Sequence, residues 1–99
     1  MRRRISGRIK TAIRDERYDM TAHAVEEMGE DGLDTLDVET SILQGELVKI
    51  EKDDPRGRRF TMHGPGADQD TTVCTVGRLT ETGRYLIITV YKRPETEAP

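Results

Sequence analysis

The sequence is poor in cysteine and aromatic residues: one Cys, no Trp, one Phe and three Tyr. The lone Cys74 cannot close a disulfide within the chain, which excludes a disulfide-stapled scaffold and fits a reducing cytoplasm. No apolar run approaches the roughly 20 residues that cross a bilayer, so no membrane partner is expected. Arg2, Arg3 and Arg4 precede no apolar stretch, unlike the start of a secretory signal. Large apolar side chains are scarce as well. Leu, Ile, Val and Phe together number 20 in 99 residues, at the border where chains cease to fold. The core must be small, and it can support only one domain.

A large excess of one charge is also missing. The net charge is −3, too small for self-repulsion to unfold the chain. The charges are nonetheless segregated. Residues 1–17 carry seven Lys/Arg and two acids, residues 18–54 two Lys and twelve acids, and residues 55–99 seven Lys/Arg and five acids. The segments sum to +5, −10 and +2, so a basic surface can sit beside an acidic one.

Periodicity supplies the elements. Ile5, Ile9 and Ile13 form one narrow stripe on a basic helix within residues 1–17. Tyr18-Asp19-Met20 reads as a short link. Thr21 is a good N-cap for a helix over 22–30, with Val25 and Met28 inward, ended by Asp31-Gly32. Asp34 caps a third helix over 35–44, with Asp37 in its first turn and Val38 and Ile42 inward. Gly45 is expected to end it in the left-handed conformation.

The period then changes from 3.6 to 2. Strands are expected over 47–52, 58–63, 71–79 and 85–92, with turns at Asp53-Asp54-Pro55-Arg56-Gly57 and Glu81-Thr82-Gly83. Val48 and Ile50 should share one face, and Phe60 and Met62 the core side, leaving Arg59, Thr61 and His63 outward. If Leu86, Ile88 and Val90 face the helices, Ile87, Thr89 and Tyr91 face out. The expected architecture is α+β, with two or three N-terminal helices on one face of a four-stranded antiparallel sheet. The other face stays open for a ligand. Residues 1–17 then form a basic helix, 18–92 the domain and 93–99 a polar tail.

No cofactor or metal is expected. His23 and His63 have no further ligands at zinc spacing, and Gly64-Pro65-Gly66 lacks the Lys-Ser/Thr of a phosphate loop. Cys74, alone in mid-strand, reads as core.

The co-linear set of motifs resembles a known family. It comprises Tyr18-Asp19-Met20-Thr21-Ala22-His23-Ala24, Met28, Gly32-Leu33, Asp37-Val38, Gly45-Glu46, Arg58-Arg59-Phe60 and Ile87-Ile88-Thr89-Val90-Tyr91. Over residues 18–92 the chain resembles the bacterial domain of unknown function 4258, grouped with toxin-like ribonuclease folds of the RelE and BrnT kind. The resemblance implies a toxin–antitoxin component that cleaves RNA without a metal. It also implies Arg at the positions of Glu27 and Asp31, so here two phosphate-binding cations are replaced by acids. The alternative is a catalytically degenerate protein-binding module of the same fold.

Metal-free RNA cleavage needs a proton carrier and cations for the developing phosphorane charge. His23, on the helix face away from Val25 and Met28, is the candidate acid–base group, or else a polar residue orienting its helix. Arg59 is the candidate phosphate ligand, and Thr89 and Tyr91 would position RNA. Arg58, His63 and Arg78 are candidate substrate contacts, Arg78 only if its strand has the right register. Expected partners are RNA, an antitoxin whose basic segment meets the acidic middle, or a second copy of the chain.

Overall fold

A computed structural model of the chain describes residues 2–52 and 55–93. The elements run α1 (Arg2–Arg14), β1 (Tyr18–Met20), α2 (Ala22–Glu30), α3 (Thr35–Gln44), β2 (Glu46–Glu51), β3 (Arg59–Pro65), β4 (Thr72–Leu79) and β5 (Tyr85–Lys92). Asp53 and Asp54 of the expected turn, and the tail from residue 94, lie outside the described residues.

The α+β class is as expected, but the sheet is not four-stranded and antiparallel. It has five strands in the order β1-β5-β4-β3-β2, with β1 parallel to β5 and the other pairs antiparallel. The extra strand is Tyr18-Asp19-Met20, which pairs with Tyr85, Leu86 and Ile87. Three residues are too few to display an alternation, and the partner lies far along the chain, so a link and a strand look alike in sequence.

The isoleucine stripe of α1 is its buried face: Ile5, Ile9 and Ile13 are buried, joined by Ala12. Helices α1 and α3 pack on each other and on the face carrying Phe60, Met62, Val73, Tyr85 and Ile87. Both expected caps are present. Thr21 Oγ1 accepts from Ala24 N at 3.1 Å. Asp34 and Asp37 form a reciprocal capping box, each carboxylate accepting from the other's backbone N–H at 3.0 Å. Asp37 also accepts from Ala67 N at 2.9 Å, tying the β3–β4 loop to α3. The Asp34 and Ala67 N–H groups hold its carboxyl below the usual carboxylate range.

Helix α2 docks differently from its expected apolar face. Ala24 is fully buried and Met28 packs on the core, whereas Val25 is 48% exposed. The helix lies along β5, and a methyl group at Ala24 allows the close approach.

Bulges re-aim residues on two strands. In β2, Leu47 pairs with Met62 and Lys49 with Thr61, so Val48 is the inserted residue and turns outward, while Leu47 and Ile50 pack on the core. In β5, Ile87 pairs with Gly77 and Thr89 with Val76, leaving Ile88 inserted. Tyr85, Ile87 and Val90 are therefore the buried set, not Leu86, Ile88 and Val90. A period-2 reading cannot register an added residue. Gly45 also departs from expectation, with φ −92° and ψ −169°, an extended backbone.

One core position is polar without compensation. Thr75 is fully buried, opposite Met62 and Val90, and its Oγ1 has no hydrogen-bond partner among the described residues. Thr75→Val keeps the shape and removes the unmet hydroxyl, worth about 1 kcal/mol or more. Thermal unfolding should shift upward by about 4–8 °C. A lower midpoint would show that the hydroxyl is satisfied after all.

Candidate functional site

With the register fixed, the sheet face away from α1 and α3 can be assembled strand by strand. His63 pairs with Cys74, which pairs with Tyr91. Thr61 pairs with Val76, which pairs with Thr89. Arg59 and Arg78 flank the Phe60–Gly77 pair on the same face, and Arg78 pairs with Leu86. Arg59, His63, Arg78, Thr89 and Tyr91 thus share the open face. Strands lie about 4.8 Å apart, so His63 and Tyr91, two strands apart, are on the order of 10 Å from each other.

Arg58 is not part of this patch. Neighbouring strand residues point to opposite faces, and its guanidinium sits 5.5 Å above the ring centroid of the core residue Phe60. Cys74 is on the open face yet buried between its neighbours.

The arginines of the open face are engaged. Arg59 donates from Nη2 to Glu51 Oε2 at 3.1 Å, while its Nε is buried with no partner among the described residues. An anion could reach this guanidinium end only by displacing Glu51. Arg78 donates to Gly57 O at 3.0 Å. At the sheet's other side, Arg84 grips Asp19 with two donors at 2.8 and 3.0 Å. Those bonds hold the Asp19 carboxyl low and the Arg84 guanidinium high.

His23 lies at the edge of β5, brought there by α2. Strand β1 covers that edge only as far as Ile87. Beyond it the helix takes over. Thr21 N donates to Ile87 O at 3.0 Å, Glu27 Oε1 accepts from Val90 N at 3.1 Å, and an Asp31 carboxylate oxygen accepts from Lys92 N at 2.8 Å. Glu27 and Asp31, one turn apart, thus act in place of a missing strand's carbonyls. Replacing the family's expected arginines does not leave two idle acids: carboxylates accept what the strand edge offers, and a guanidinium has no acceptor.

The same Glu27 oxygen lies 3.3 Å from His23 Nε2. The His23 side chain is 67% exposed and that of Glu27 26%. A carboxylate bound to Val90 N therefore holds an accessible imidazole at the edge of β5. Such a pair can orient one ring nitrogen while the other exchanges a proton with a ligand. The helical wheel places His23 near both Glu26 and Glu27, and the structure selects Glu27. The i,i+4 spacing was the available signal.

Among the described residues no helix is long and apolar enough to cross a membrane, and no cluster of three His, Cys, Asp or Glu could hold a metal. No curated protein and no solved structure matches the chain, so the finer likeness to RelE and BrnT folds finds no support there. The family model described as Domain of unknown function (DUF4258) matches residues 20–92, from the end of β1 through β5, and the chain therefore belongs to that family.

Proposed function

We propose that the protein is a small toxin-type endoribonuclease whose own side chains move the protons. The observation that carries this reading is the His23–Glu27 pair, anchored on Val90 N at the β5 edge of the sheet. RNA lies across β3, β4 and β5. His23 takes the proton of a ribose 2′-hydroxyl, and the oxygen attacks the adjacent phosphorus. The 5′-oxygen leaves with a proton from water, giving a 2′,3′-cyclic phosphate and a 5′-hydroxyl, and His23 returns its proton to solvent. Tyr91 and Thr89 position the strand, His63 contacts it, and Arg59 releases Glu51 to meet the phosphate.

A second reading, a binding module without catalysis, draws on the engagement of Arg59 by Glu51 and of Arg84 by Asp19. The two separate in one experiment. Purified protein is incubated with RNA in EDTA, beside His23→Ala and Arg59→Ala. Catalysis predicts cleavage that His23→Ala lowers by about 10²–10⁴-fold, the usual worth of a positioned acid–base group. No cleavage by the wild type, or equal cleavage by His23→Ala, would sink the ribonuclease reading as stated.

A further inference from the structure

A second basic feature lies away from the open face, and the residues that form it come from three elements. Three adjoining clefts, of about 420, 410 and 200 Å³, all include Arg8. Their walls carry Arg4 and Arg8 of α1, Arg17 before β1, and Arg58 before β3. Among the described residues, Glu81, at the tip of the β4–β5 turn, is the one acid lining them. All four arginines are exposed. Among the described residues, no ion pair reaches Arg4, Arg8 or Arg58, and Arg17 has only a half-exposed contact to Asp15 at 3.5 Å.

The cations are held by the fold rather than scattered. Buried Ile5 and Ile9 seat α1, which puts Arg4 and Arg8 one turn apart on the adjacent flank. Arg17 is fixed by its backbone: its N–H bonds Ala12 O at 2.7 Å, and its carbonyl accepts from Tyr85 N at 3.0 Å. Arg58 is stacked over Phe60. Folding thus places four positive charges around one groove, where mutual repulsion favours an anionic occupant.

We propose that this groove binds the phosphodiester backbone of single-stranded RNA, as a contact outside the cleavage site. The identity of the ligand rests on the RNA reading of the open face. Two further observations favour it. Arg58 points into the groove while Arg59, the next residue, lies on the open face, so a strand rounding the end of β3 meets both. The groove also lacks a stacking aromatic, since Phe60 is buried, so it reads phosphates and not bases. A protein occupant would call for buried aromatic or aliphatic anchors. An antitoxin's basic segment is repelled here.

The probe is a fluorescently labelled, fully 2′-O-methylated RNA oligonucleotide, which binds but cannot be cut by its own 2′-oxygen. Its Kd is measured by anisotropy over salt for the wild type and the double variant Arg4→Gln, Arg8→Gln. Losing two phosphate contacts weakens binding on the order of 25-fold near 0.1 M salt and flattens the log–log salt slope by about 1.4. The groove is refuted if the double variant, folded by circular dichroism, keeps the wild-type affinity and slope. It is equally refuted if the wild type ignores RNA at low salt, whatever acidic polypeptide it then binds. Cleavage of unmodified RNA is scored separately: groove-dependent binding without cleavage overturns the ribonuclease and leaves the groove.

Discussion

Gly64→Ala should lower the thermal midpoint by about 12–24 °C, a loss on the order of 3 kcal/mol in a domain of this size. The reason is a backbone-to-backbone crossing. A Cβ at Gly64 would collide with the Ser41 carbonyl oxygen and come within 2.8 Å of Gly45 Cα. A Cβ at Gly45 would meet the carbonyl oxygens of His63 and Ser41. No flexible side chain can swing aside, so α3 or β3 must move. Helix α3 carries the fully buried Val38 and Ile42, and lifting it opens the core above β3. A stability of about 5–15 kcal/mol leaves little margin for that in so small a core. The control is Gly29→Ala in α2, where an added methyl meets nothing within 4 Å and α-helix propensity favours alanine by about 0.5–1 kcal/mol. A wild-type midpoint for Gly64→Ala would mean that α3 does not cross β3 at this distance.

This crossing also shows how far the sequence could be read. Gly45 was assigned the freedom of a left-handed helix end, and it is glycine for want of space instead. Space is a long-range property, set by a strand some twenty residues away. Features fixed within one turn were legible: the Thr21 cap, the Asp34–Asp37 box, the isoleucine stripe of α1 and the outward place of Arg59 and His63. Features fixed by partners were not. Strand β1 exists because β5 has a free edge beside it, and the bulges at Val48 and Ile88 arise from pairing, not from composition. The acidic middle has local partners that composition does not show. Glu27 and Asp31 serve β5, Asp34 and Asp37 cap α3, and Asp19 holds Arg84. Glu39 accepts from the Tyr18 hydroxyl at 2.6 Å, where burial and this carboxylate push the phenol's pKa up. Six of the acids between residues 18 and 54, Asp19, Glu27, Asp31, Asp34, Asp37 and Glu39, thus have partners within the domain.

Glu27 offers the most discriminating substitution, because one oxygen bonds the edge of β5 and also holds the histidine to which the ribonuclease proposal gives the chemistry. Glu27→Ala leaves Val90 N without an acceptor at a partly buried edge, costing about 1–3 kcal/mol, and frees the His23 ring. Both stability and cleavage should fall. Glu27→Gln keeps an amide oxygen for Val90 N but withdraws the charge that would stabilise an imidazolium. Its midpoint should stay within a few degrees of wild type. Its cleavage should fall on the order of 10²-fold or more, toward the roughly 10⁴-fold seen when a triad histidine's carboxylate becomes an amide. Glu27→Arg, although it installs the residue expected from the family resemblance, should not restore phosphate binding. It sets a donor against the Val90 N–H and should be the least stable of the three. If Glu27→Gln cleaves RNA like the wild type, the carboxylate is only an edge cap, and His23 works without it. If Glu27→Arg is as stable as the wild type, α2 does not cap β5 through this side chain.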